Sequence, residues 1–198
     1  MEDILQIITQ LNFNWSIIES IAVFFSILYV VLAMKENIWC WGAAAISVIL
    51  YIYICYSAQL YAETGLQFFY LLMAIYGYFQ WNNNDRNLKI QQWTSAKHLL
   101  ILLLGALLTF LMGFYFSIYT NAAMPLVDSF TTVFSVFATF MVTKKVLGNW
   151  LYWIVIDAVS VYLYFSRGLQ LTSLLFVAYT IIAVFGYLSW LKRNNEIA

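Results

Sequence analysis

Carboxylates, indoles and phenols recur at helical spacing inside the apolar stretches of this chain, and they are the groups from which chemistry could be made. Trp150, Trp153, Asp157, Ser160 and Tyr164 share one face of a helix, because side chains three and four apart lie one above another. Glu63, Gln67, Tyr70, Ala74, Gly77 and Trp81 do so on a second helix, and Thr172, Phe176, Tyr179, Ala183, Gly186 and Trp190 on a third. Asp157 falls near the middle of its run, where an ionisable group is costly unless paired or hydrated. All nine Lys and Arg residues map to loops or run ends, so no intramembrane cation is available to neutralise it. A carboxylate beside flat rings suits a flat aromatic cation: the rings stack on it and add cation–π attraction, and the carboxylate supplies the counter-charge.

Plainer structural readings compete with this one. Trp41, Trp81, Trp150 and Trp190 sit at run ends, where a bilayer's aromatic belt collects indoles, and the belt is the expectation for each. Trp153 lies one turn deeper than Trp150 on the face of Asp157, so a site role is expected there. Ala74, Gly77, Ala183 and Gly186 are expected to allow close helix packing. Gln67 is read as a ligand contact, against the alternative of a hydrogen bond bridging two helices. Glu19, Glu63 and Asp128 lie near run ends where water reaches, and His98 is expected at the interface. No metal-ligand spacing, nucleophile–base set or glycine-rich phosphate loop occurs, so neither an enzyme nor a bound cofactor is expected.

The elements that must position these groups follow from composition. Of 198 residues 64% are hydrophobic, 20% aromatic and 9% charged, against about a quarter charged in soluble domains. Eighteen charges cannot cover a soluble globule of this size, and such hydrophobicity excludes disorder. The net charge is zero and no basic patch forms, which gives no reason to expect nucleic acid. Cys40 and Cys55 read as buried free thiols. An all-α integral membrane protein is implied.

Seven runs are long enough to cross a bilayer, which needs about 20 mainly apolar residues: 17–34, 38–56, 63–81, 98–119, 126–143, 150–166 and 172–190. No basic n-region precedes the first, so it reads as a retained helix. Lys35, Arg86, Lys89, Lys97, Lys144, Lys145, Lys192 and Arg193 fall on one side, and only Arg167 on the other. The positive-inside rule then predicts an outside N-terminus and a cytoplasmic C-terminus.

Sliding the chain against itself by 109 residues aligns runs one to three with runs five to seven at fourteen identities, including Ser26/Ser135, Trp41/Trp150, Tyr70/Tyr179, Gly77/Gly186 and Trp81/Trp190. A three-helix unit makes an odd number of crossings, so the unmatched fourth helix restores the second copy to the orientation of the first. The expected plan is a first repeat with its N-terminal tail over 1–97, a linker helix over 98–119 and a second repeat over 126–198. Parallel repeats of this kind build transporters with a midplane site between the halves.

The stretch from Leu60 to Tyr70 (Leu-Tyr-Ala-Glu-Thr-Gly-Leu-Gln-Phe-Phe-Tyr), closing with Gly77-Tyr78-Phe79-Gln80-Trp81, resembles the PnuC vitamin-transporter family. So does Trp150-x-x-Trp153 followed by Asp157, Tyr162-Leu163-Tyr164 and Leu171-Thr172-Ser173. The resemblance covers runs two to seven. It implies a bacterial inner-membrane transporter of seven helices, similar in plan to SWEET sugar transporters and often a homotrimer. Its members carry vitamin-like substrates, chiefly nicotinamide riboside, by facilitated diffusion, and a separate cytoplasmic kinase traps the product for NAD synthesis. Carried over by motif, the substrate-binding positions are Trp150, Trp153, Asp157, Gln67 and Tyr70. Glu63, Trp41, Tyr164, Thr172 and Tyr179 stand as gating or secondary candidates. Members that carry nicotinamide riboside usually have a neutral amide where this chain has Asp157, which keeps thiamine, another aromatic cation, open as cargo; neutral riboflavin fits the acid less well. A receptor or scaffold without transport is the alternative from a different class, and proton coupling through Asp157 or Glu63 stays open.

Overall fold

The computed structural model describes residues 17–57, 61–82, 88–120, 124–166 and 170–197, with the side chains of 61–63, 170, 171 and 197 outside the description. Seven helices account for nearly all of them: α1 (Ile17–Met34), α2 (Cys40–Ser57), α3 (Tyr61–Asn82), α4 (Ser95–Tyr119), α5 (Pro125–Thr143), α6 (Asn149–Ser166) and α7 (Gln170–Ile197). Each coincides with an expected run to within a few residues, except that α7 continues past 190 and carries Lys192 and Arg193 on its last turns. Among the described residues the extended pairing is one isolated bridge, Gln91 to Val146.

Local chemistry sets the helix ends. Pro125 opens α5 at a position where its missing N–H costs nothing, and Asp128 in the first turn complements the helix dipole. The turns leaving α1 and α5 both pass through a left-handed residue that is not glycine, Glu36 at φ 54° and Lys145 at φ 51°. Their hydrogen bonds correspond one for one. Asn37 N–H donates to Leu32 O as Val146 N–H does to Met141 O, and Cys40 N–H donates to Asn37 O as Asn149 N–H does to Val146 O.

Among the described residues five helices, α1, α2, α4, α5 and α7, are long and apolar enough to cross a membrane. The other two are long enough, since 22 and 18 residues span about 33 and 27 Å at 1.5 Å per residue. They are less apolar because α3 carries Thr64 and Gln67 and α6 carries Asn149 and Asp157.

In the packing, α2 lies between α1 and α3, and α6 between α5 and α7. The two trios meet where α1 packs on α7 and α3 on α5, while α4 docks along α5. Polar groups turn inward, Ser47, Ser129, Ser135, Thr139, Asp157 and Ser160 all being buried, while leucines and aromatics of α4 such as Leu103, Phe110 and Phe114 face outward. This polar-in, apolar-out arrangement suits a chain whose solvent is lipid. One end of the bundle is basic and cross-linked. Glu36 carboxylate oxygens accept from Lys145 Nζ and Arg193 Nη1, both at 2.9 Å, and the Gln91 side chain donates to Lys144 O at 2.7 Å.

Candidate functional site

A cavity of about 720 Å³ runs between the two helix trios, within the range of small-molecule sites. At the end away from the basic turns it is lined by Thr120, Asp128 and Thr172; at mid-depth by Gln67, Tyr70, Trp153, Asp157, Tyr164 and Tyr179; and at its floor by Trp41 and Trp150. Among the described residues no Lys, Arg or His lines it.

Asp157 sits on α6 only 4% exposed, and among the described residues no ion pair reaches it. The phenols of Tyr70 and Tyr179 lie within its electrostatic reach. Both tyrosines also face a serine of the other trio. Tyr179 of α7 shares a hydrogen bond with Ser26 of α1, and Tyr70 of α3 faces Ser135 of α5, whose hydroxyl donates to Thr131 O at 2.6 Å. Tyr164 stacks on Phe176, ring centroids 5.1 Å apart and planes 9° from parallel, adding a flat wall. Gln67 faces the cavity, and among the described residues no hydrogen bond bridges its amide to another helix.

The floor corrects one expectation. Trp41, Trp150 and Trp190 are not a lipid-facing belt: each is at most 2% exposed. Trp41 meets Trp81 edge-on at 5.3 Å and Trp150 meets Trp190 edge-on at 5.4 Å, with Trp81 and Trp190 6.4 Å apart. They turn inward because a glycine lies under each floor indole. An added Cβ would come within 2.4 Å of the Trp41 ring at Gly77 and within 2.6 Å of the Trp150 ring at Gly186, so these glycines do serve close packing. The Trp190 indole N–H donates to the carbonyls of Ala33 and Met34 at 3.2 and 3.1 Å, whereas those of Trp41 and Trp150 are buried without a partner among the described residues. Trp39, 72% exposed, is the indole placed like a belt residue.

The structure thus brings Trp150, Trp153, Asp157, Gln67, Tyr70, Trp41, Tyr164, Thr172 and Tyr179 to one cavity. The Glu63 side chain lies outside the described residues. Sequence reasoning passed over Ser26 and Ser135, although their identity at the repeat offset was a signal. It also passed over Met112 and Phe116 of α4, which line the cavity from a helix read only as a linker. His98 is more than interfacial: it stacks on Tyr152 at 5.8 Å and its Nδ1 lies 3.2 Å from the Tyr152 hydroxyl, joining α4 to α6. Cys40 and Cys55 are buried and are not joined in a disulfide.

Comparison with known proteins finds a match over residues 16–192 to the family model described as nicotinamide mononucleotide transporter. The chain is 28% identical to the nicotinamide riboside transporter PnuC of Escherichia coli (strain K12), covering 93% of this chain and 89% of that one. It is 22% identical to the riboflavin/roseoflavin transporter RibM of Streptomyces davaonensis, over 83% of this chain and 80% of that one. Among solved structures it is similar to the vitamin B3 transporter PnuC, with a TM-score of 0.73, 25% identity, and coverage of 96% of this chain and 86% of that one.

Proposed function

The chain belongs to the nicotinamide mononucleotide transporter family, a family of membrane transporters rather than enzymes, and from that premise we propose that it carries nicotinamide riboside into the cytoplasm by facilitated diffusion. The observation that carries the reading is Asp157, a buried carboxylate with no cationic partner among the described residues, sharing a cavity with Trp150 and Trp153. Nicotinamide riboside is an aromatic cation. Its ring would lie against the indoles and its charge against Asp157, with Gln67 and Tyr70 offering hydrogen bonds to its polar parts. Trp41, Tyr164, Thr172 and Tyr179 complete the walls, and Glu63 is kept as a gating candidate at the outer end of α3. Riboflavin, named for the Streptomyces relative, is neutral and would leave Asp157 without a counter-charge. Thiamine is the rival cargo that Asp157 favours.

We read the helix trios as two parallel repeats, α1–α3 and α5–α7 joined by α4, in a SWEET-like plan. Support comes from the matched turns at Glu36 and Lys145, the matched indole–glycine contacts, and the reciprocal facing of Ser26 with Tyr179 and of Ser135 with Tyr70. The basic end is assigned to the cytoplasm, with the N-terminus outside a bacterial inner membrane; a homotrimer is the assembly suggested by family resemblance.

Uptake of labelled nicotinamide riboside by reconstituted protein, down its gradient, tests the reading, and Asp157→Ala should abolish most of it. Robust thiamine flux without nicotinamide riboside flux would exchange the cargo. A non-transporting receptor or scaffold predicts no uptake of either. Uptake that follows an imposed pH gradient would replace facilitated diffusion with proton coupling.

A further inference from the structure

The cavity ends in three successive layers on the basic side. The floor indoles Trp41 and Trp150 come first, Trp81 and Trp190 lie against them, and the charged turns cover these, with Lys145 Nζ 4.7 Å from the Trp81 ring centroid. We infer that Glu36, Lys145 and Arg193 form an ionic latch that holds this inner end of the transporter shut while the cavity faces the other side. Glu36 lies in the α1–α2 turn of one trio, Lys145 in the α5–α6 turn of the other, and Arg193 on the last turns of α7. One carboxylate therefore bonds across the meeting line of the two trios to both of its far partners, at 2.9 Å each.

Glu36 and Lys145 stand 109 residues apart, at the same left-handed turn position. Where a symmetric repeat would set two like residues facing one another, this chain sets opposite charges. Side-chain exposures of 19% for Glu36 and 14% for Lys145 shield the contact from much of the solvent, and burial raises the Glu36 carboxyl's pKa less than Arg193 and Lys145 together lower it. An inward-open state must part α1 from α7 at this end, so it must break these contacts and the indole contacts behind them. Removing the Glu36 charge does more than delete an attraction: it leaves Lys145 and Arg193 facing each other, which favours the open state.

This inference rests on the transporter reading and its orientation, so its test reads accessibility instead of uptake; a wrong cargo would leave the outcome unchanged. In a chain with Cys40 and Cys55 replaced by alanine, Ala74→Cys places one thiol at the buried floor. Inside-out and right-side-out vesicles are then exposed to a membrane-impermeant thiol reagent. Glu36→Gln should raise labelling from the cytoplasmic side by roughly fivefold or more, the size of a typical conformational coupling, and lower it from the outside. Lys145→Gln and Arg193→Gln should each raise it less, and in the Glu36→Gln background neither should raise it further. Unchanged cytoplasmic labelling in Glu36→Gln, or a full Lys145→Gln effect in its absence, would overturn the latch. Should Glu36→Gln fail to fold, the two cation variants carry the test, and unchanged labelling in both overturns it.

Discussion

Replacing Gly186 by alanine should push the floor indole into the space the ligand would use. An added Cβ lies 2.6 Å from Trp150 Cε3 and 2.7 Å from two further ring atoms, where carbon atoms settle at about 3.5–4.0 Å. The ring must retreat by about 1 Å. Trp190 blocks one direction edge-on at 5.4 Å, which leaves the cavity as the way out. Overpacking of this kind costs about 1–3 kcal/mol, and each kcal/mol lowers Tm by about 2–4 °C in a chain of this size. Losing good contact with one indole costs a cation about 0.5–2 kcal/mol, or roughly two- to thirtyfold in Kd. Gly77→Ala is the matched control, because its Cβ would strike Trp41 at 2.4 Å while Val48, in place of an acid, lies two turns along α2 from that indole. Thermal unfolding in detergent should show comparable Tm losses in the two variants. Calorimetry with nicotinamide riboside should show the larger affinity loss in Gly186→Ala. A wild-type Tm and affinity for Gly186→Ala would refute the wedge, and equal affinity losses in both would detach the ligand from Trp150.

Trp190→Phe takes the indole donor from the Met34 carbonyl and from the Ala33 carbonyl, which keeps the Glu36 N–H, and should cost about 1–3 kcal/mol, whereas Trp81→Phe removes an N–H without a partner among the described residues and should cost less; equal Tm losses would contradict this. Tyr179→Phe removes a bond between the trios, to Ser26, and should lower stability by about 1 kcal/mol; an unchanged Tm would argue against that tie. Glu36 has a folded-state pKa below its usual value because Arg193 and Lys145 outweigh burial. Its contribution is therefore present above the ordinary Glu pKa of about 4.3 and lost as pH falls through the lower folded value. Wild-type Tm should drop over that acid interval more than that of Glu36→Gln, and identical profiles would remove Glu36 from the account.

Helices were legible because lipid imposes one rule along the whole chain: apolar runs of membrane length separated by short polar breaks. Site residues on α3, α6 and α7 were legible through helical spacing, and Asp157 stood out because a mid-run carboxylate is costly. The fate of the tryptophans was not, since an indole at a run end suits lipid and protein alike, and only the glycines facing Trp41 and Trp150 decide for the interior. Cavity residues on α4 escaped because Met112 and Phe116 look like any lipid-facing residue until α5 docks beside them. The charged turns were read for orientation alone, because nothing local reveals that Glu36 meets Lys145 and Arg193 across the bundle.

If the Asp157 carboxylate is the counter-charge for an aromatic cation, calorimetric titration of nicotinamide riboside must separate purified wild-type from Asp157→Ala protein. Saturable binding to wild type, weakened tenfold or more in the variant as expected for a lost charge-assisted contact of about 1.5–3 kcal/mol, is the predicted result. Equal affinity in both proteins, or no binding to wild type, would contradict it.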